Sequence, residues 1–337
     1  MSNAAKPLSP PVAPRCGVIL CNFNDAETLP RALDAILTQS RPPDEFVVVD
    51  DGSTDGSARI LAEYAARYRK LRLLINDRNR GLIYSTQRAL GALTAEYIYS
   101  GSANDHVLPG FFQRAMDLLQ ANPSADLAFG CVVYKDRVTG KESPLTVHGW
   151  DRDGFRPPAE FRRDYLDRGE MWASLGPSCV YRRQAMLDAG GYDPELDAFG
   201  DTFVSNYLGL NHGVCYVHEP CVVYFTGGGA FSQQLYGNPS RLIAVIHHAI
   251  VRMRERPDVF PADYVAQWKH SRLESVLNHQ CSQLRDHVWQ ARTVVEAAKP
   301  GGQWLSAGFV RLLGSLLIRL GESHIRRAGR PPRATTR

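Results

Sequence analysis

Three acid-bearing stretches have the residue types and spacing to do chemistry. The first is FVVVDDGSTDGS, Phe46 to Ser57, where four apolar residues run into the adjacent carboxylates of Asp50 and Asp51. Successive side chains on an extended chain point to opposite sides. One acid can therefore meet a ligand while the other caps the turn or bonds to backbone. Open parallel sheets bind ligands beyond the carboxyl ends of their strands, and there a carboxylate can accept from a base or ribose, or help hold a cation. The second stretch is SANDHVLP, Ser102 to Pro109, which sets Asn104 and Asp105 just after a strand-like run. These residue types suit a plain turn. The third is GGYDPELDAFGD, which ends on Asp201 and contains Asp197. Asp201 could take a proton as a general base or simply open the helix that follows.

The elements that must position these acids follow from periodicity. Gly17–Cys21 is a short apolar strand ending at the polar turn Asn22-Phe23-Asn24. Thr28 then reads as the cap of a helix with Leu29, Leu33, Ile36 and Leu37 on one face. Phe46–Val49 is a second strand, and Thr54 or Asp55 caps a helix carrying Ile60, Leu61, Tyr64 and Tyr68. Strand Leu71–Ile75, helix Gly81–Leu93 and strand Tyr97–Ser100 continue the alternation, which means an α/β domain with a largely parallel sheet. A helix after Pro109, a strand at Leu127–Tyr134, a short element at SCVYRR and one or two strands within Cys215–Tyr224 complete it. Residues 135–170 are polar and turn-rich and receive no assignment. From Asn238 the pattern is helical. The expected organisation is a flexible arm at 1–14, the α/β domain at 15–237, a helical region at 238–327 and a disordered basic tail at 328–337.

Bulk properties narrow the class. The chain has 337 residues, 44% hydrophobic and 22% charged, with ample material for a core. A formal charge of +4 is too small to argue for nucleic acid. Seven cysteines without a CxxC pair point away from a disulfide framework or zinc site and toward reduced thiols in a cytosol-like compartment. No run approaches the 18 or so apolar residues of a bilayer span. GxGxxG and P-loop signatures are absent, which argues against dinucleotide oxidoreductases and P-loop NTPases.

The ordered combination ILCNFNDAETLPRALDAILTQSRPPDEFVVVDDGSTDGS resembles the N-terminal signature of glycosyltransferase family 2, inverting enzymes of the GT-A fold. The matching elements are Phe23-Asn24, the helix closing on Gln39-Ser40, and Asp50-Asp51-Gly52-Ser53, and the likeness extends over roughly residues 16–230. NDRNRG, 76–81, resembles the family's Asn-x-Gly segment. The resemblance implies a Rossmann-like GT-A sheet flanked by helices, with Asp51 on the nucleobase of a sugar nucleotide. It also implies a pocket lined by Cys21, Asn22, Phe23, Asn24, Asn79 and Gly81. Family members follow the fourth strand with Asp-x-Asp-Asp, whose acids hold Mg²⁺ or Mn²⁺ against the diphosphate. Here Ser102 and Asn104 stand where the first two acids would be, so a cation would rest on Asn104, Asp105 and the substrate phosphates. Alternatively, helix N-termini or arginines meet the leaving-group charge. Asp201 carries over as catalytic base, with Gly200 in place of the usual Glu and Asp197 as the fallback.

The implied reaction is inverting transfer of a sugar to an acceptor hydroxyl, in polysaccharide, glycolipid or other envelope glycan synthesis. The rival is a catalytically degenerate module that binds sugar nucleotide or glycan for a partner enzyme. FTGGGAFS, 225–232, occupies the place of a family loop that closes over the diphosphate. At the C-terminus, Leu305, Phe309, Leu312, Leu313, Leu316, Leu317 and Leu320 form an apolar stripe accompanied by arginines. Such a stripe packs on its own domain or a second subunit, or lies on the cytoplasmic face of a membrane near a lipid-linked acceptor. The expected location is cytoplasmic.

Overall fold

The apolar run Cys16–Asn22 forms β1, a strand buried on both faces as central parallel strands are. Beside it lie β2 (Glu45–Asp50), β3 (Leu71–Ile75) and β4 (Tyr97–Ser102), all parallel to it or to each other. The helices α1 (Leu29–Leu37), α2 (Ser57–Arg67) and α3 (Leu82–Ala92) connect them, as parallel strands require. The structure, a computed structural model, describes residues 13–147, 149–168, 176–226, 235 and 237–297, with 168 and 282–297 as backbone alone.

The later elements are β5 (His106–Val107), α4 (Phe111–Ala121), β6 (Leu127–Asp136), β7 (Glu142–Leu145), β8 (Gly154–Arg156) and α5 (Pro158–Arg168). They continue with β9 (Cys179–Arg182), α6 (Arg183–Asp188), α7 (Gly200–His212), β10 (Val214–Thr226), α8 (Pro239–Arg254) and α9 (Ala262–Ala297). The sheet runs β3-β2-β1-β4-β9-β6-β10-β5, with β7 on β6 and β8 on β10. Its β9 is antiparallel to both β4 and β6, whereas β10 is parallel to β6. The Cys215–Tyr224 region is a single strand whose register shifts on either side of Pro220. Proline lacks the ladder donor, and the strand bulges there instead of ending. The unassigned stretch 135–170 contains β7, whose residues are all exposed, together with β8 and α5.

Period-two alternation divides the core. Val18, Leu20 and Val48 face one side and pack with Leu33 of α1 and Phe112 and Met116 of α4. Ile19, Val47 and Val49 face the other and join Leu90, Val204, Leu242, Ile246 and Trp268 from α3, α7, α8 and α9. Each such side chain contributes roughly 1.5–3 kcal/mol on burial. Through Val276, the helical segment after residue 237 shares this second core layer with the sheet. The C-terminal apolar stripe lies outside the described residues, as does most of FTGGGAFS. Among the described residues no helix is long and apolar enough to cross a membrane, and all seven cysteines are free.

Register fixes what happens at the edge. Asn22 pairs with Asp50, Asp50 with Ile75, and Cys21 with Ser102. The strands β3, β2, β1 and β4 therefore end level, and Asn76, Asp51, Phe23 and Ala103 emerge side by side.

Candidate active site

At this edge the two adjacent acids go opposite ways. Asp50 Oδ1 accepts from Asn22 Nδ2 at 2.8 Å and from Ser53 Oγ at 2.6 Å, tying β1 to the turn after β2. Asp51 turns toward the segment after β3. Its Oδ1 accepts from Asn76 Nδ2 at 2.6 Å and from the Arg80 amide at 2.8 Å, and its Oδ2 from the Gly81 amide at 2.8 Å. Both acids are nearly enclosed, at 2% and 3% exposure. Gly52 between them has φ +72°, and a Cβ there would stand 2.5 Å from the Arg78 backbone carbon. Only glycine permits that turn to lie so close to the 76–81 loop.

The other residues assigned to a nucleotide pocket collect around this turn. Asn24 adopts φ 58°, a left-handed conformation that asparagine tolerates better than most residues. It accepts from Thr54 N at 2.8 Å while its own amide donates to Ser53 Oγ. Asn22 is buried and works inside the fold. Phe23 is 41% exposed, so its ring is open to a planar ligand. Asn79 accepts from the Gly81 amide at 2.9 Å and stays exposed. Cys21 shares a hydrogen bond with Thr86 at 3.5 Å, and burial pushes its thiol up to about 12, which makes it an inert wall.

Asp201 sits in the first turn of α7, across the end of β4. The short turn Gly176–Ser178 packs against β4. The Gly176 amide donates to Asp201 Oδ2 at 2.8 Å, and the Thr202 amide donates to Oδ1 at 2.6 Å. Asp201 is therefore not the cap: the N-cap position is Phe199, without a side-chain cap bond, and one oxygen of Asp201 is held by a segment outside the helix. Burial raises the Asp201 carboxyl above its ordinary range, against the lowering effect of these hydrogen bonds. Tyr192 lies beside α3, where its carbonyl accepts from Gln87 Nε2 at 2.8 Å. Burial above all raises its phenol; Ser100 lowers it through a hydrogen bond, and the charges of Asp201 and Cys21 raise it further. Asp51 in turn acts on Cys21. Asp51 follows β2 and Asp201 is held by the turn at the end of β4, so the two border one edge of the sheet, along which the adjacent α3 residues Thr86 and Gln87 meet Cys21 and Tyr192. Asp197, the fallback base, is buried at φ 50° and ion-paired to Arg241 of α8.

The 102–105 loop is arranged differently from a cation site. Asp105 is 4% exposed, and its Oδ1 accepts from the Phe225 amide at 2.8 Å. Burial pushes its carboxyl up to about 6. Asn104 Oδ1 is already hydrogen-bonded to Ser102 Oγ, and Thr28 Oγ1 donates to the Ala103 carbonyl at 3.0 Å instead of capping α1. A divalent ion beside a diphosphate is held by one or two accessible carboxylates together with phosphate oxygens and waters, and this set supplies one enclosed carboxylate whose Oδ1 is already taken by the Phe225 amide. Ser102, Asn104 and Asp105 do not fit the Mg²⁺ or Mn²⁺ that the resemblance implies. Elsewhere, Asp193, Glu195 and His248 bring ligand atoms within 4.8 Å of one another. His248 and the Arg252 guanidinium already pair with those acids, so the group works as a clamp holding α8 against the GGYD turn.

Sequence reasoning missed Asn76, Tyr192, Arg31, Arg137 and Phe225. Asn76 and Tyr192 lay inside quoted motifs, and their polar tips beside apolar strands were the available signal. Arg31 and Phe225 also lay inside quoted stretches, but with Arg137 they gather only in space.

Residues 17–189 match the family model described as Glycosyl transferase family 2. Among curated relatives, the uncharacterized protein Rv1520 of Mycobacterium tuberculosis is 29% identical over 176 residues, covering 51% of this chain and 48% of that one. The putative glycosyltransferase EpsE of Bacillus subtilis is 32% identical over 108 residues, covering 32% and 39%. The chain thus spans about half the length of the first relatives it matches, or less. Of solved structures, S. aureus TarS 1-349 in complex with UDP-GlcNAc superposes with a TM-score of 0.61 at 18% identity, covering 80% of this chain and 73% of that one.

Proposed function

The chain belongs to glycosyltransferase family 2 and has the GT-A fold, and from that premise we propose that it transfers a sugar from a nucleoside-diphosphate sugar to an acceptor hydroxyl with inversion. The observation that carries this reading is Asp201, a carboxylate fixed by the Gly176 amide and raised in proton affinity by burial. In this reading Asp201 accepts the acceptor's hydroxyl proton as that oxygen attacks the anomeric carbon. The bond from that carbon to the diphosphate oxygen breaks on the opposite face, and the electron pair leaves with the diphosphate. A well-placed base of this kind contributes roughly 10²–10⁴-fold.

On the donor side, Phe23 offers an exposed ring to the base, and the Asp51-anchored loop 76–81 forms the wall beside it. Asp51 already receives three donors, and its remaining acceptor capacity is what a nucleobase N–H would use. Since the TarS structure is a complex with UDP-GlcNAc, uridine diphosphate sugars are the first donors to try. A glycan or lipid-linked acceptor is the corresponding expectation.

A non-catalytic binding module is the second reading, favoured by the replacement of two acids at Ser102 and Asn104. A donor panel scored for release of nucleoside diphosphate separates the two. Turnover that disappears in Asp201→Asn supports transfer, and sugar-nucleotide binding without turnover by the wild type supports the module. Inversion is checked by the anomeric configuration of the product by NMR.

A further inference from the structure

Two arginines from distant parts of the chain meet beside the 102–105 loop. Arg31 on α1 and Arg137 after β6 place their guanidinium carbons 4.3 Å and 5.3 Å from the centre of the same ring, Phe225. The two cations can be no farther apart than those distances combined. Arg137 Nη2 also donates to the Asn104 carbonyl at 3.2 Å, and its amide donates to the Thr226 carbonyl at 3.1 Å. Both residues are exposed. Among the described residues neither guanidinium lies within ion-pair distance of a carboxylate. The nearby Lys135 is committed to Glu142. Phe225 is itself fixed, because its amide holds Asp105. Two like charges share one aromatic surface here, at the strand-end edge, where Ser102 and Asn104 stand in place of the first two acids of the family pattern.

We propose that Arg31 and Arg137, stacked on Phe225 beside Asn104, bind the donor's diphosphate directly and supply the positive charge that a divalent cation would otherwise bring. This rests on the donor being a nucleoside-diphosphate sugar. Guanidinium groups suit the task because their planar forks bind phosphate oxygens in pairs, and stacking on a ring limits the freedom lost on binding. An anion between them also relieves their mutual repulsion. As the anomeric C–O bond breaks, the electron pair moves onto a diphosphate oxygen, where these two charges stabilise it.

The test is calorimetry of uridine, guanosine and thymidine diphosphates on the full chain, in EDTA and in Mn²⁺, with wild type, Arg31→Gln, Arg137→Gln and the corresponding lysine variants. At least one diphosphate should bind in EDTA about as tightly as in Mn²⁺. Each glutamine variant should weaken it roughly tenfold or more, and lysine should restore part of the loss. Binding that requires Mn²⁺, or that survives both glutamine substitutions unchanged, overturns the arginine assignment and leaves the transferase reading standing. If no diphosphate binds under either condition, both fall.

Discussion

The Gly176 amide lies 2.8 Å from Asp201 Oδ2, and a Cβ added at Gly176 would stand 3.2 Å from the same oxygen. Glycine at 176 thus lets backbone approach the proposed base closely enough to orient it. Gly176→Ala should displace the carboxylate by a few tenths of an ångström and lower kcat by about tenfold, given how steeply rate depends on alignment. Donor affinity should hold. Steady-state kinetics with donor and acceptor varied separately would show this split, and a loss confined to donor KM would contradict it.

Asp201→Asn removes the proton acceptor while keeping shape. Turnover should fall by about 10²-fold or more, with nucleotide binding retained by calorimetry. Burial raises this carboxyl, and the base form is the ionised one. Activity should therefore be lost as pH falls, with the midpoint above the ordinary aspartate value of about 3.9. A pH profile of kcat/KM with an acid limb at the ordinary value would count against this assignment.

Asp51→Ala should act on stability as well as on binding. It leaves the Arg80 amide without its acceptor, while Asn76 Nδ2 keeps Ser85 Oγ and the Gly81 amide keeps Asn79 Oδ1; an orphaned donor costs about 1–3 kcal/mol unless water replaces it. We expect a loss of about 1–3 kcal/mol in urea unfolding, accompanied by weaker nucleotide binding. Unchanged unfolding would mean that the 76–81 loop is held by other contacts.

Asp105→Asn has the opposite sign. Burial raises the folded carboxyl from 3.8 to about 6, so wild-type stability falls as pH rises from about 4 to about 6. Asparagine can still accept from the Phe225 amide and never ionises. At pH 7.5 the variant should be more stable by about 3 kcal/mol, with the gain vanishing below pH 4, where aspartate is protonated in both states. Thermal melts at pH 4 and 7.5 give the comparison.

Much of the fold was legible because β1 to β4 carry their own apolar runs and turn residues. The opposite orientation of Asp50 and Asp51 followed from strand geometry alone. Their partners were not legible, since Asn76 and Gly81 reach Asp51 only after a helix and a strand intervene. The stretch 135–170 resisted assignment because β7 is exposed throughout and exists by pairing with β6. The Arg31, Arg137 and Phe225 group draws on α1, the end of β6 and the end of β10. No local pattern links them.

The clamp between α8 and the GGYD turn has a practical consequence. Asp193, Glu195 and Asp197, which lead into Asp201, are braced by His248, Arg252 and Arg241. Chimaeras that exchange everything after Gly237 for the tail of another transferase would therefore also re-aim the loop before α7. In such hybrids, altered acceptor choice could arise with no residue of the donor pocket changed.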